Sequence, residues 1–132
     1  MGRGQVIVAD THSWVWWLTD REMLSAPARE ALKNNAVAVS TITFLEVATL
    51  VRRGRITLDQ PLVTWLQRSI ERSSTRVFDL TLEVAAAAGS LESDVIRDPA
   101  DRIIVATALL QGVPLVTKDH KILASAVVPT IW

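Results

Sequence analysis

Acidic side chains stand at points of this sequence where an apolar segment has just ended. Asp10 follows directly on the apolar run Val6–Ala9, and Asp119 comes two residues after the run "PLVT". If both runs are parallel strands, their carboxyl ends meet at one edge of a sheet, which is where such sheets bind ligands. Each acid taken singly is also explained by a turn or a helix cap, because Asp favours both positions.

Glu46 interrupts an apolar helical stripe. Ile42 and Leu50 stand four residues before and after it, so a helix through this segment carries the carboxylate on its apolar side. A buried acid is costly unless a cation or hydrogen-bond donors lie nearby. The alternative is that Glu46 lies at the margin of the stripe and reaches water.

The segment "RDPADRIIVATA" contains two more acids. Asp98 is predicted as a helix N-cap with Pro99 as the first helical residue, and Asp101 is the third, where it favours the helix dipole. Asp101 also precedes Ile104 and Val105 by three and four residues, which predicts that it projects on the buried side of the helix, towards the other acids. We therefore favour Asp101 as a site residue and keep Asp98 as an additional candidate.

A cluster of carboxylates is the ligand set of a hard cation such as Mg²⁺ or Mn²⁺. The four predicted ligands are Asp10, Glu46, Asp101 and Asp119. The chain has no cysteine and two histidines, which excludes disulfides, thiolate catalysis and cysteine-based zinc sites. Magnesium held by a few carboxylates keeps several waters, lowers the pKa of one and bridges a phosphate, which is the chemistry of phosphodiester cleavage.

Two hydroxyl groups adjoin these acids and are additional site candidates. Thr11 follows Asp10, and Thr117 precedes Asp119 by two residues. A hydroxyl there can bond to a bound water or a phosphate. Thr is also a good strand residue, which is the alternative explanation for Thr117.

The elements that position these residues alternate between strands and helices. Apolar runs without polar alternation are typical of strands covered on both faces in a parallel sheet. The runs are Val6–Ala9, Ala36–Ser40, 77–80 and 114–117, with a short fifth candidate at 128–131. Caps at Ser25, Asp59 and Asp98 and stops at Gly54 and Gly112 predict helices between them. The sequence therefore predicts an α/β fold, a three-layer α/β/α sandwich around a parallel sheet of four to five strands, in a single domain of residues 1–132.

Composition narrows the class of protein. The chain is 49% hydrophobic and 21% charged, which is typical of a folded globular protein rather than a disordered one. Its 14 basic and 14 acidic residues give no net charge, so overall charge does not indicate nucleic-acid binding. We see no apolar stretch near the ~20 residues that a membrane span needs and no signal peptide. We expect a cytoplasmic protein that does not associate with membranes.

The chain resembles the PIN-domain family and, within it, the VapC-type toxins of bacterial toxin–antitoxin pairs. The resemblance runs almost end to end and rests on the joint order of "VADTHSWVWWL", "STITFLEVATLVRRGRI" and "RDPADRIIVATALLQGVPLVTKD". It implies a PIN-like fold and a metal-dependent ribonuclease whose four acids correspond to Asp10, Glu46, Asp101 and Asp119. It also implies an RNA substrate, whether tRNA, rRNA or mRNA, a homodimer and a small antitoxin of the VapB type.

Basic residues near the acids are candidates for holding RNA phosphates. The main candidates are Arg52, Arg53, Arg102 and Lys118, and Arg97 and Lys121 flank the acids in the same way. Solvated helix ends favour Lys and Arg in any case, which is the structural alternative for each of them. The aromatic residues Trp14, Trp16 and Trp17 are predicted to lie in the core or at a dimer contact rather than to stack on bases.

Two other functional classes compete with a nuclease. A receiver-type signalling domain has a similar α/β fold and would use Asp79 as phosphoacceptor with Lys118 as phosphate partner, but it leaves Glu46 unexplained and lacks paired acids after the first strand. A catalytically silent PIN scaffold would bind RNA or protein without turnover. Dinucleotide binding is excluded because no glycine-rich turn follows a strand.

Overall fold

A computed structural model describes residues 5–132, which form a five-stranded parallel sheet between two layers of helices. The strands are β1 (Val6–Ala9), β2 (Ala36–Ser40), β3 (Arg76–Phe78), β4 (Leu115–Val116) and β5 (Thr130–Ile131). The helices are α1 (Thr11–Thr19), α2 (Ala26–Asn34), α3 (Ile42–Arg52), α4 (Leu62–Ser73), α5 (Leu82–Ser90), α6 (Pro99–Gln111) and α7 (His120–Ser125). The predicted three-layer α/β/α fold is confirmed. The predicted domain of residues 1–132 includes residues 1–4, which lie outside the described residues.

The strand order places the predicted acids at one point of the sheet. The order is β3-β2-β1-β4-β5, so the chain moves from β1 to β2 and β3 in one direction and then returns to the other side of β1. Val8 pairs with Leu115 and Ala9 with Val116 in parallel register. The carboxyl ends of β1 and β4 are therefore adjacent at the reversal point, where open α/β sheets form a crevice for ligands.

The sheet is apolar on both faces because helices cover both of them. Ile7 belongs to one core cluster, in which α1 contributes the fully buried Trp14. Val8 points to the other face and belongs to a second cluster with Ile104 and Val105 of α6. Successive strand residues face opposite sides, so a central strand covered on both sides has no polar position.

The ends of the helices agree in part with the predicted signals. Ser25 caps α2 by accepting a hydrogen bond from the Ala28 N–H at 3.1 Å. Gly112 ends α6 with a φ of 65°, a left-handed conformation that glycine adopts without steric cost. The cap predicted at Asp59 is wrong, because α4 begins two residues later than that cap requires, with Pro61 at its N-cap.

The third strand differs from its prediction. We expected residues 77–80 to be covered on both faces, but β3 is Arg76–Phe78 at the edge of the sheet, and Arg76 and Val77 are exposed. Edge strands tolerate charged residues, because only one side of the strand is paired with a neighbour and the helices cover it less completely. Across residues 5–132, none of the helices is both long enough and apolar enough to cross a bilayer.

Candidate functional site

A cleft of about 760 Å³ opens at the carboxyl ends of β1 and β4. All five acids considered from the sequence line it, namely Asp10, Glu46, Asp98, Asp101 and Asp119. Other residues of the lining include His12, Trp16, Arg97, Lys118, His120 and Lys121. The cleft thus combines a carboxylate floor with basic and aromatic residues, and it lies where the strand order reverses.

Asp10 is held rigidly between β1 and α1. One carboxylate oxygen accepts a hydrogen bond from the Ser13 N–H at 2.9 Å and so caps α1. The other accepts a hydrogen bond from the Thr117 hydroxyl at 2.6 Å. The main chain is fixed as well, because the Asp10 N–H donates to the Val116 carbonyl at 3.1 Å. Capping and a place in the cleft are therefore not alternatives for Asp10, since its carboxylate serves both.

Glu46 points from the middle of α3 into the cleft. Its carboxylate accepts a hydrogen bond from the buried Thr11 hydroxyl, which also lies 3.3 Å from the Thr43 hydroxyl. The helix stripe that contains Glu46 is half-buried, as are Ile42 and Leu50 on either side of it. Thr11, the first residue of α1, therefore orients the Glu46 carboxylate.

The start of α6 brings two acids to Glu46. Carboxylate oxygens of Glu46, Asp98 and Asp101 all lie within 4.8 Å of one another. Asp98 also caps α6, because it accepts a hydrogen bond from the Ala100 N–H at 2.8 Å. Asp98 and Asp101 are one turn apart, so both project from the same side of the helix end. Asp98 is thus part of the acidic group and not only a cap.

Asp119 reaches the cleft from the loop after β4. It caps the short helix α7, accepting hydrogen bonds from the Lys121 and Ile122 N–H groups at 2.8 and 3.3 Å. Its own N–H donates to the Thr117 hydroxyl at 3.0 Å. The fully buried Thr117 thus donates to Asp10 and accepts from Asp119, and it couples the two acids that follow β1 and β4.

The acids raise one another's proton affinity. Burial, as the largest cause, and the negative charges of Asp98, Glu46, Asp119 and Asp10 together raise the pKa of Asp101 from 3.8 to about 7. Burial also raises the pKa of Glu46, against the hydrogen bond from Thr11 that lowers it. Burial raises the pKa of Asp10, although hydrogen bonds from Ser13 and Thr117 oppose the effect. The cleft therefore carries more negative charge than its own donors neutralise.

The basic residues predicted to hold RNA fall into three groups. Lys118 lines the cleft, with its ammonium nitrogen 5.8 Å from the centre of the Trp16 ring. Arg52 and Arg53 are exposed at the far end of α3, outside the cleft lining. Arg102 differs from its prediction, because its guanidinium group forms hydrogen bonds within the protein.

Arg102 ties down the loop between α5 and α6. Its guanidinium group donates four hydrogen bonds to backbone carbonyls, at distances between 2.6 and 3.1 Å. The acceptors are the carbonyl oxygens of Ala88, Leu91, Ser93 and Ile96. These contacts use the donors that a phosphate would need, so the expected RNA-binding role of Arg102 is replaced by a structural one. The loop that Arg102 holds leads directly into Asp98.

Sequence reasoning undervalued some residues of the cleft. Arg97 and Lys121, which flank Asp98 and Asp119 in sequence, line the cleft as well and were given too little weight among the basic candidates. Trp16 packs against the core cluster, as predicted, and it also forms part of the cleft wall. The structure places Trp14 in the core as predicted, where its indole N–H donates to the Thr75 hydroxyl at 3.0 Å. Asp79, the phosphoacceptor under the receiver hypothesis, lies outside the cleft lining and contacts Thr41.

Comparison with known proteins connects this geometry to a family. A family model described as PIN domain matches residues 7–127. Ribonuclease VapC22 from Mycobacterium tuberculosis is 38% identical over 117 residues, which are 88% of this chain and 88% of that protein.

Solved structures resemble the fold along nearly its whole length. DNA-bound VapBC from Salmonella typhimurium matches with a TM-score of 0.69 and 18% identity, covering 96% of this chain and 97% of the other. VapBC2 from Rickettsia felis bound to a DNA fragment matches with a TM-score of 0.68 and 17% identity, covering 95% and 96%. At these identities the two structures support the fold alone.

Proposed function

The chain belongs to the PIN-domain family, and from that premise we propose that it is a metal-dependent endoribonuclease and the toxin of a toxin–antitoxin pair. The observation that carries the proposal is the group of Glu46, Asp98 and Asp101, whose oxygen atoms lie within 4.8 Å of one another in a cleft shared with Asp10. The 38% identity to a ribonuclease over 88% of the chain supports RNA as the substrate.

The donor set fits a hard divalent cation. Every candidate ligand is a carboxylate oxygen, and Mg²⁺ and Mn²⁺ prefer oxygen donors. The raised pKa values of Asp10, Glu46 and Asp101 indicate negative charge that a cation would neutralise. We assign the metal to the four predicted acids Asp10, Glu46, Asp101 and Asp119, together with Asp98, whose carboxylate lies beside those of Glu46 and Asp101. A bound Mg²⁺ or Mn²⁺ would supply an activated water and neutralise charge on the phosphate that is cleaved.

The surrounding side chains orient the acids and the substrate. The Thr11 hydroxyl directs Glu46, and the Thr117 hydroxyl directs Asp10, so two ligands are held by buried donors before any metal binds. We assign phosphate binding on either side of the cleaved bond to Lys118, Lys121 and Arg97, which line the cleft next to the acids. Trp16 offers an aromatic face for an unpaired base.

The partner and setting follow from the same likeness. Two neighbours of this fold are VapBC structures bound to DNA, and in one of them the DNA is a fragment of the promoter. We propose a homodimer with a bound antitoxin of the VapB type, in the cytoplasm, with residues 1–132 forming one PIN domain. The receiver alternative loses support because Asp79 lies outside the acidic cleft. A catalytically silent scaffold stays as the competing function, since a set of ligands does not by itself prove turnover.

The test is cleavage of a mixed tRNA and rRNA pool by the pure protein. Cleavage should require Mg²⁺ or Mn²⁺ and stop with EDTA, and Asp101→Asn should abolish it. Asp59→Asn is a matched control, because Asp59 is exposed and outside the cleft. Products that survive EDTA or the Asp101→Asn substitution would refute metal-dependent catalysis at this site. RNA binding without products under either metal would instead favour the silent scaffold.

A further inference from the structure

A second cavity of about 330 Å³ lies away from the acidic cleft, where the end of α1 meets α2. We call it the α1–α2 surface. It is lined by Trp17, Arg21, Ala26, Arg29, Glu30 and Lys33. Three of these six side chains are cations and one is an acid, so the surface is basic although the chain as a whole has no net charge.

The α1–α2 surface has an aromatic wall covered by a cation. The Arg21 guanidinium carbon lies 3.5 Å from the centre of the Trp17 ring, which is a stacking distance. Its Nε–H donates to the Trp17 carbonyl at 2.9 Å, so the side chain is held in this position. A guanidinium plane supported in this way can receive a nucleic-acid base on its outer face.

The other two cations are presented together on α2. Arg29 and Lys33 are one helical turn apart and exposed, while the neighbouring Ala28 and Leu32 are buried in the core. Glu30 cancels only one of the three positive charges of the lining, so the α1–α2 surface keeps a net charge of +2. Two exposed cations at this spacing suit successive phosphates of a flexible strand.

The α1–α2 surface is joined to the acidic cleft by one short helix. The N-cap of α1 is Asp10 in the cleft, and its C-cap is Asp20, next to Arg21. At 1.5 Å per residue, these ends are roughly 15 Å apart, the span of a few nucleotides. Trp16 in the cleft and Trp17 on the α1–α2 surface are consecutive residues, and the Trp132 ring lies 6.0 Å from that of Trp16.

We propose that the α1–α2 surface is an accessory RNA-binding site that holds single-stranded RNA beyond the segment being cleaved. Arg29 and Lys33 bind phosphates, and the Arg21 guanidinium on Trp17 receives a base. The inference rests on the proposed ribonuclease function. An acidic protein segment would use the cations alone, whereas a cation stacked on an aromatic ring at a cavity wall suits RNA, whose bases stack and whose phosphates are anionic.

The test measures RNA binding separately from cleavage. In the Asp101→Asn background, fluorescence anisotropy gives the affinity for a labelled 20-nucleotide single-stranded RNA and for a tetranucleotide. Arg29→Gln/Lys33→Gln should weaken binding of the long RNA about tenfold, roughly threefold for each exposed cation. The slope of log affinity against log salt should become less steep by about 1.4, since each phosphate contact contributes about 0.7 on single strands. The tetranucleotide should lose much less affinity than the long RNA.

Arg68→Gln/Arg72→Gln is the matched control. These two residues are also exposed and four apart on a helix, and they line neither cavity, so the control removes the same charge at the same spacing. The proposal would be overturned if Arg29→Gln/Lys33→Gln bound the long RNA as tightly as the protein without these two substitutions. An equal loss of affinity in the Arg68→Gln/Arg72→Gln control would also overturn it. So would a variant that binds RNA normally but no longer binds an acidic peptide, because the surface would then be a protein contact.

Cleavage by proteins with intact Asp101 separates this proposal from the proposed function. If the wild type cuts RNA but Arg29→Gln/Lys33→Gln does not selectively weaken binding of the long RNA, the accessory site is refuted and the ribonuclease function stands. If the wild type cuts no RNA with either metal, the ribonuclease function fails, whereas a selective loss of long-RNA affinity would still support RNA contact at the α1–α2 surface.

Discussion

Replacing Asp101 by Asn should abolish cleavage and, at the same time, stabilise the metal-free protein. The side chain lies among four other acids, and ionising it in the folded state is costly because burial and these neighbours oppose its charge. Asn has the same shape without the charge. A residue that function requires therefore works against stability when no cation is bound.

The magnitude follows from the pKa of Asp101. Its rise from 3.8 to about 7 corresponds to about 4 kcal/mol if taken in full. The side chain is only partly buried, so solvent screening reduces this to about 2 kcal/mol. Asp101 also lies in the first turn of α6, and losing its favourable interaction with the helix dipole takes away about 0.5 kcal/mol. The expected net gain is about 1.5 kcal/mol, or roughly 5 °C in Tm for a chain of this size.

The gain depends on pH with a definite sign. The folded-state pKa of Asp101 is raised above the unfolded value, so the folded state retains the proton between about 4 and 7. Wild-type stability should therefore fall as pH rises through this window and then level off. Asp101→Asn removes that dependence, so its advantage should be under about 1 kcal/mol at pH 5 and complete at pH 8.

Thermal unfolding followed by circular dichroism checks both points, in EDTA at pH 5 and pH 8, with Asp59→Asn as control. Adding Mg²⁺ should then raise the Tm of the wild type more than that of Asp101→Asn, because binding to the folded state alone is stabilising. A lower Tm for Asp101→Asn at pH 8, or a gain of the same size at both pH values, would refute the reasoning.

Three further substitutions test the supporting structure. Asp98→Asn keeps a capping side chain but removes one of three clustered carboxylates, so the Mg²⁺ concentration for half-maximal cleavage should rise about tenfold; an unchanged metal requirement would confine Asp98 to capping. Thr117→Val removes the hydrogen-bond donor to Asp10 and the acceptor for the Asp119 N–H, so the free energy of unfolding measured in urea should fall by about 2 kcal/mol. Thr117→Ser should restore most of it, and equal losses in both variants would assign the effect to the methyl group. Arg102→Met should cost about 3 kcal/mol in the same assay and weaken Mg²⁺ binding, and unaltered Mg²⁺ binding would mean that other contacts hold the loop before Asp98.

The sequence predicted best what depends on local pattern. Val6–Ala9 and Ala36–Ser40 are strands with the predicted bounds, because both are covered on two faces and therefore apolar throughout. The edge strand was predicted less well, since residues 77–80 look like a buried run although β3 begins at Arg76 and is exposed. Helix α7 was not predicted at all, because its six residues are too few for a periodic signal.

For the site, too, the sequence predicted what depends on local pattern and missed what depends on tertiary packing. That several acids would meet followed from the positions of Asp10 and Asp119 after strands, because parallel strands bring their carboxyl ends together. That Asp98 joins Glu46 and Asp101 depends on how α3 packs on α6, which no local pattern records. The role of Arg102 depends on three carbonyl groups of an irregular loop and one of α5, and it had no signal in the sequence.

The place of β4 inside the sheet, between β1 and β5, sets the order of events during synthesis. Until β4 leaves the ribosome, β1 is an open edge beside β2, and Thr117 and Asp119 are absent from the neighbourhood of Asp10. More than a hundred residues separate Asp10 from Asp119 in the chain, so at about 5–20 residues per second the nascent chain spends several seconds without a complete site. The acidic cleft is therefore completed only when the last interior strand pairs with β1.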